Sequence, residues 1–157
     1  MFRELRIKNK RMTEAAAEQV LREGSHGILA CLGDHGYPYA VPLSYVYDQG
    51  RIYFHCAAET GHKLAAIAQE PKVSFCVVSR DQVVPEAVTT KFTSVIAFGR
   101  ARILTEEDQI RAAAQKLLEK YCGGLTLANA AYTESAWGKF AVVVIEIEHL
   151  SGKSTPQ

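Results

Sequence analysis

Between Tyr37 and Tyr47 the chain reads YPYAVPLSYVY, and this segment constrains the fold more than any other. Its side chains alternate with period two, as on a β-strand. One face carries Tyr37, Tyr39, Val41, Leu43, Tyr45 and Tyr47; the other carries Pro38, Ala40, Pro42, Ser44 and Val46, which are mostly small. Proline has no N–H to give to a ladder, so pairing is expected to lapse on one side at Pro38 and Pro42. Two readings stay open. The small face and missing ladder bonds leave room for a flat ligand, or the prolines guard an ordinary edge strand against aggregation.

The flanking segments continue the β pattern. His26–Leu32 is a short apolar run closed by the turn Gly33-Asp34-His35-Gly36. Asp48-Gln49-Gly50 is a tight hairpin turn into a return strand at Arg51–Cys56. Lys72–Ser79 is rich in β-branched residues, and Arg80–Thr90, with Pro85 inside, is expected to be a loop. Phe92–Ile103 is a long strand interrupted by Gly99, a plausible bulge. Lys139–Glu148 closes the fold, with Ala141, Val143, Ile145 and Ile147 facing inward, and the tail Ser151–Gln157 is expected to be disordered.

Helices separate these strands. Thr13 caps the first; its stripe is Ala16, Val20 and Leu21, and Gly24 ends it. A short second helix runs from about His62 and stops before Pro71. A capping box at Thr105–Asp108 opens the best helix, with the stripe Ile110, Ala113, Ala114, Leu117, Leu118 and Tyr121. Gly123-Gly124 ends it, and one or two more helical turns are expected within Thr126–Ser135. The sum is about six largely antiparallel strands and three or four helices: a mainly β fold, a small barrel with peripheral helices. The 157 residues suit one domain spanning 1–157, with an ordered core over about 11–150.

Composition narrows the function. Eighteen basic and 17 acidic residues give a net charge of +1, which supplies no broad basic field for nucleic acid. The N-terminus MFRELRIKNKRMTEAAAEQ is basic without an apolar core, so it is not a secretory signal. No apolar run nears the ~20 residues that span a bilayer, and a cytoplasmic location is expected. Cys31, Cys56, Cys76 and Cys122 form no C-x-x-C pair and are expected to be reduced thiols.

The richest chemistry lies in Phe54-His-Cys-Ala-Ala-Glu-Thr-Gly-His-Lys63. A strand ends and a helix starts with unpaired amides at its positive pole. Gly61 permits close approach, Thr60 adds a hydroxyl and Lys63 a charge, which together suit a monophosphate. The alternative is an ordinary helix start with a solvated lysine. Neither a P-loop nor a G-x-G-x-x-G fingerprint is present. His55 is either a structural histidine or a proton donor beside a bound ring. His55, Cys56 and His62 match no standard zinc spacing, so no metal site is expected. Ser94 reads as a structural strand serine, and Trp137 as a packing anchor or a cover for a ring at an interface.

In order along the chain, G-x-P-Y-x-V-P-L-S-Y-V-Y (Gly36–Tyr47), I-Y-F-H-C-A…G-H-K-L (Ile52–Leu64), P-K-V-S-F-C-V-V and F-T-S-V-I-A-F-G-R-A (Phe92–Ala101) are similar to segments of flavin-binding split barrels. From about Arg11 to Lys153 the sequence resembles the nitroimidazole-resistance branch of the pyridoxamine phosphate oxidase-like superfamily. The resemblance implies a split β-barrel homodimer with two FMN molecules at the subunit interface. It puts Val41, Pro42, Leu43 and Ser44 along the isoalloxazine, and His55 near the ring, where a histidine is linked to activity in that branch. His62 and Lys63 fall on the phosphate-holding pair, and Ser94 on a polar position that reaches the ring from a neighbouring strand. Trp137 falls on a late aromatic supplied by the partner. One departure stands out: the Arg-x-His that grips substrate phosphate in pyridoxamine phosphate oxidases is absent from Ile145–Lys153, so vitamin oxidation is not implied.

The expectation is an FMN-dependent oxidoreductase acting on a small electron-poor compound such as a nitro-aromatic, with His55 as proton donor and no nucleic acid or membrane as partner. The competing expectation is a non-catalytic module that holds flavin or haem, with His55 or His149 as iron ligand. A deazaflavin in place of FMN fits less well, because its longer acidic tail needs more cations than the His62–Lys63 pair.

Overall fold

The structure, a computed structural model, describes residues 2–59, 61–127 and 137–155. Seven antiparallel strands form one sheet: β1 (His26–Leu32), β2 (Pro38–Ser44), β3 (Val46–Asp48), β4 (Arg51–Ala57), β5 (Lys72–Val84), β6 (Thr89–Ile103) and β7 (Phe140–Ser154). Their order is β2-β1-β5-β6-β7-β4-β3. Three helices pack on it: α1 (Glu14–Glu23), α2 (His62–Gln69) and α3 (Glu107–Tyr121).

Seven strands replace the expected six because the segment around Tyr45 changes partner. β2 pairs with β1, from His26↔Ser44 to Leu32↔Pro38. Two residues later β3 pairs with β4, from Val46↔Tyr53 to Asp48↔Arg51. The two edges of the sheet are thus one continuous piece of chain, and this closes the barrel. The side-chain alternation runs through Tyr45 undisturbed, so nothing local announces the switch. The hairpin that follows has Gln49 at φ 45° and Gly50 at φ 78°, the left-handed pair of a type I′ turn.

The barrel interior is filled by Leu29, Tyr45, Ile52, Phe54, Phe75, Val95 and Ile145, all fully buried, with Leu21 of α1 and Ile67 of α2 sealing it. The Thr13 Oγ1 accepts the Ala16 N–H at 3.2 Å, as a cap should. The buried stripe of α1 is Ala17, Val20 and Leu21; Ala16 is exposed. At Gly99 the β6–β7 register slips, from Phe98↔His149 to Gly99↔Ile147. A Cβ there would sit at 2.2 Å from the Glu146 carbonyl oxygen, so only glycine lets the strands close at this bulge.

Several expectations give way to tertiary context. Arg80–Thr90 is not a loop. β5 and β6 continue as a hairpin, paired to Val84↔Thr89, with a bulge between Val78 and Arg80. The tail is not disordered at Ser151–Ser154, which pair with β6 at Thr93–Ile96. Ladder bonds use backbone groups only, so a polar SGKS end pairs as well as an apolar one. The capping box does not form: Glu106 is the N-cap without a side-chain bond, and Thr105 reaches Glu106 instead at 3.4 Å. Of the stripe on α3, only Ala113 and Leu117 are buried. Ala113 joins Leu104, Val142 and Val144 in a second small core on the outside of β7, with Ile110 packed against it. β7 is therefore buried on both faces through Val142–Ile145, where one inner face was expected. Thr126 and Leu127 are not helical, and the rest of the segment expected to hold extra turns lies outside the described residues. No helix among the described residues is long and apolar enough to cross a membrane.

Candidate functional site

The partner switch at Tyr45 opens a split in the sheet. Continuing the β3–β4 register past Val46↔Tyr53 would set Ser44 against His55 and Pro42 against Ala57. Instead β2 leaves for β1, while β4 stays with β7 through Ala57↔Phe140. Val41–Ser44 and His55–Ala57 thus form two diverging lips with an apex at Tyr45.

The pairing lapses on one side of β2, as expected for its prolines, and the lapsed side is the one away from β1; the register to β1 runs through both. The odd residues carry it: the Gly33 N–H donates to the Tyr37 carbonyl at 2.8 Å, which fixes the alternation. The even residues, including Pro42 and Ser44, therefore turn their backbone groups away from β1 and into the split. Proline's missing donor falls on the free edge, where nothing needs it. The side chains of Pro38, Ala40, Pro42 and Ser44 are exposed, and Val41 and Leu43 turn inward against the core. The upper lip thus offers a small-residue outer surface and free carbonyls to a planar group.

The start of α2 spans the wide end. His62 lies against Tyr39 of β2, with ring centroids 4.1 Å apart. Its Nε2 accepts the Asp34 N–H at 3.3 Å and stands 3.8 Å from the Asp34 carboxylate. It is a buttress between α2 and the β1–β2 turn. Lys63 makes no hydrogen bond or ion pair among the described residues, and its charge lies close enough to the Cys56 thiol at the end of β4 to act on its acidity. Of the expected pair, Lys63 is the uncommitted cation, with the Gly61 N-cap beside it. Thr60 lies outside the described residues.

His55 is exposed on the outer side of the lower lip, its ring edge-on to Phe140 at 6.4 Å. Phe140 meets Trp137 at 5.4 Å, and the Arg111 guanidinium covers the Trp137 ring at 4.3 Å. Trp137 thus packs on its own chain, beside His55. Ser94 is not on a neighbouring strand: β1 and β5 separate β6 from β2, so within one subunit Ser94 is apart from the split. His149 is engaged elsewhere, stacked on Phe2 at 4.6 Å. Two residues that the sequence reading passed over belong to the site. His26 is the register partner of Ser44, and Tyr121 reaches the apex. No spacing pattern marks either; the fold brings them there.

The outer face of the sheet beyond β2 is apolar. Register aligns Pro42, Ile28, Cys76 and Ile96 in one row, with Ile28 at 41% and Ile96 at 38% exposure and Val78 and Leu32 also exposed. Cavities of about 280 and 520 Å³ lie along the N-terminal segment and around Pro38 and Phe98; neither takes in Pro42, His55 or Lys63. The split is an open trough in the single chain.

No metal-ligating cluster occurs among the described residues. Burial raises the thiols of Cys31, Cys56 and Cys76, with Lys63 partly opposing this at Cys56. Cys122 is exposed. At mildly alkaline pH, iodoacetamide should therefore modify Cys122 first, with the other three slower by about tenfold or more. Mass spectrometry of a time course reads this directly, and equal rates would contradict the burial.

The profile of the family described as pyridoxamine 5'-phosphate oxidase matches residues 13–154. The chain belongs to this family. No curated protein matches it. Among solved structures similar to this pyridoxamine 5'-phosphate oxidase family member, a candidate 5-nitroimidazole antibiotic resistance protein of Bacteroides thetaiotaomicron shares 16% identity over 91% of this chain and 85% of that one, with a TM-score of 0.79. An FAD-binding protein of Mesorhizobium loti shares 25% over 93% and 97%, with a TM-score of 0.69. An FAD- and haem-binding protein of Mycobacterium smegmatis shares 18% over 94% and 74%, with a TM-score of 0.80. These likenesses establish the split-barrel fold, and two of these relatives are flavin binders by description.

Proposed function

We propose that this protein is a flavin-dependent oxidoreductase that holds FMN in the split and passes electrons to small electron-poor compounds such as nitro-aromatics. The observation that carries the reading is the split itself: an unpaired pair of lips, Val41–Ser44 and His55–Ala57, with an uncommitted cation, Lys63, at its wide end. The residues fit the cofactor. One cation and one helix start suit one phosphate, which favours FMN over a dinucleotide. Carbonyls turned off β2 suit the N–H edge of a planar ring, and Pro42 and Ser44 leave it space. Bound flavin supplies the electron chemistry. Lys63 anchors it, the β2 lip orients it, and His55 delivers a proton to the reduced substrate from an imidazole nitrogen.

The functional unit in this reading is a single-domain homodimer in the cytoplasm, with a second copy covering the open trough. The row Pro42, Ile28, Cys76 and Ile96, exposed except at the half-buried Cys76, supports this, since monomers rarely leave such a row to water. Ser94 then acts on the ring bound by the other subunit, while Trp137 stands beside the His55 lip of its own.

The test begins with the absorption spectrum of the protein as purified and after addition of FMN, FAD or haem. A yellow protein that prefers FMN supports the reading. A Soret band, or no uptake of flavin, overturns it in favour of haem storage or another ligand. In the FMN-loaded dimer, His55→Gln should lower nitro-aromatic turnover about 100-fold while FMN affinity stays within about threefold, the range of lost general-acid catalysis. Unchanged turnover would remove His55 from the chemistry. Sedimentation analysis, with Ile96→Asp as the variant expected to yield monomers, tests the dimer.

A further inference from the structure

The apex of the split is closed by a side chain that the proposed chemistry does not use. Tyr45 is fully buried, yet its backbone belongs to neither ladder: β2 ends at Ser44 and β3 begins at Val46. Leaving a buried N–H and carbonyl unpaired costs about 1–3 kcal/mol each. The Tyr121 hydroxyl, at the C-terminus of α3, meets both. It accepts the Tyr45 N–H at 2.9 Å and gives its proton to the carbonyl oxygens of Tyr45 and Ser25, at 2.6 and 2.5 Å, which share it. Ser25 precedes His26, so a 25–45 pair would be the next rung after His26↔Ser44. The phenol stands in place of that rung.

A hydroxyl inserted where two strands would otherwise bond directly keeps them apart by one oxygen. It therefore sets where β2 leaves β1, and with it the angle of the lips and the aim of the Ser44 backbone groups. Lys120, one residue earlier, bonds the Gly24 carbonyl at 2.5 Å and covers the Tyr45 ring at 4.3 Å. It docks the same helix turn without a bond to the Tyr45 backbone, and serves as a control.

We propose that Tyr121 is a positioning residue for the flavin, holding the apex of the split so that the Val41–Ser44 lip meets the ring. This rests on the reading of the split as the FMN site. The experiment compares wild type, Tyr121→Phe and Lys120→Met for FMN affinity, flavin spectrum, flavin midpoint potential and thermal midpoint. The expected result is wild-type uptake of FMN and about tenfold weaker binding by Tyr121→Phe, the worth of one lost hydrogen bond. Its flavin spectrum and potential should also shift. Lys120→Met should lose comparable thermal stability with affinity and potential unchanged. If wild type takes up no flavin, the site reading and the latch fall together. If wild type binds and Tyr121→Phe matches it in affinity and potential, only the latch falls. Equal weakening by Lys120→Met would make the effect general loosening of α3 and also overturn it. Should Tyr121→Phe fail to fold, hydrogen exchange on wild type decides. Binding is reciprocal, so FMN must slow exchange at the Tyr45 amide, and an unchanged rate at saturation refutes the latch.

Discussion

Lys63→Met is expected to weaken FMN binding by about 10- to 100-fold and leave the thermal midpoint of the flavin-free protein unchanged. A charge-assisted hydrogen bond is worth about 1.5–3 kcal/mol, and each ~1.4 kcal/mol is tenfold in affinity. The folded chain loses nothing in the exchange, because Lys63 makes no bond to the described residues, and Met keeps the apolar stem. His62→Gln should behave differently. His62 stacks on Tyr39 and accepts the Asp34 N–H, so its loss should lower the melting temperature and reduce FMN affinity less. Quenching of flavin fluorescence on titration measures the first quantity, and circular dichroism on heating the second. An affinity for Lys63→Met within about threefold of wild type would place the phosphate elsewhere. Raised salt should weaken the wild type more than the variant, since only the wild type keeps the ionic contact.

Gly99→Ala carries the largest expected cost in stability, about 3 kcal/mol, or roughly 6–12 °C in midpoint for a domain of this size. The new Cβ would lie 2.2 Å from the Glu146 carbonyl oxygen and 3.1 Å from the Ile145 side chain. Backbone oxygen in a ladder has no room to retreat, so β6 and β7 must part at the bulge. Both strands line the main core through Val95, Ala97, Val143 and Ile145, and the cost falls on cooperative unfolding rather than on a local loop. FMN affinity per folded molecule should hold, because Gly99 is on β6, two strands from β4 and three from β2. Thermal unfolding of the variant checks this, and a drop of less than about 2 °C would show that the bulge relaxes freely.

The site was legible in part. Alternation over Tyr37–Tyr47, the prolines, and the Gly-His-Lys opening of α2 are local signals, and each sits where its pattern put it. The family likeness agrees with the matched profile over residues 13–154. The role of His62 was not legible, because its partner Asp34 is far away in sequence and enters only through the β1–β2 turn. The resemblance puts Ser94 on a neighbouring strand, but sequence distance carries no strand order, and β1 and β5 intervene between β6 and β2. By its spacing Tyr121 is the end of an apolar stripe, while its hydroxyl serves a backbone rung 76 residues away.

The sequence by itself determined where the three helices and the central part of each strand lie, the turn at Gln49-Gly50, the glycine that must sit at a bulge, and the residues offered to a phosphate and a flat ring. These follow from side-chain periodicity and backbone freedom, which act over a few residues. Only the tertiary structure decided that the strand through Tyr45 changes partner, that its two halves close the barrel and part to form a split, and that the polar end Ser151–Ser154 and the hairpin over 80–90 are paired. The physical reason is that ladder bonds join backbone groups alone. Any extended segment can make them, and which two meet is settled by how the whole chain buries its apolar faces.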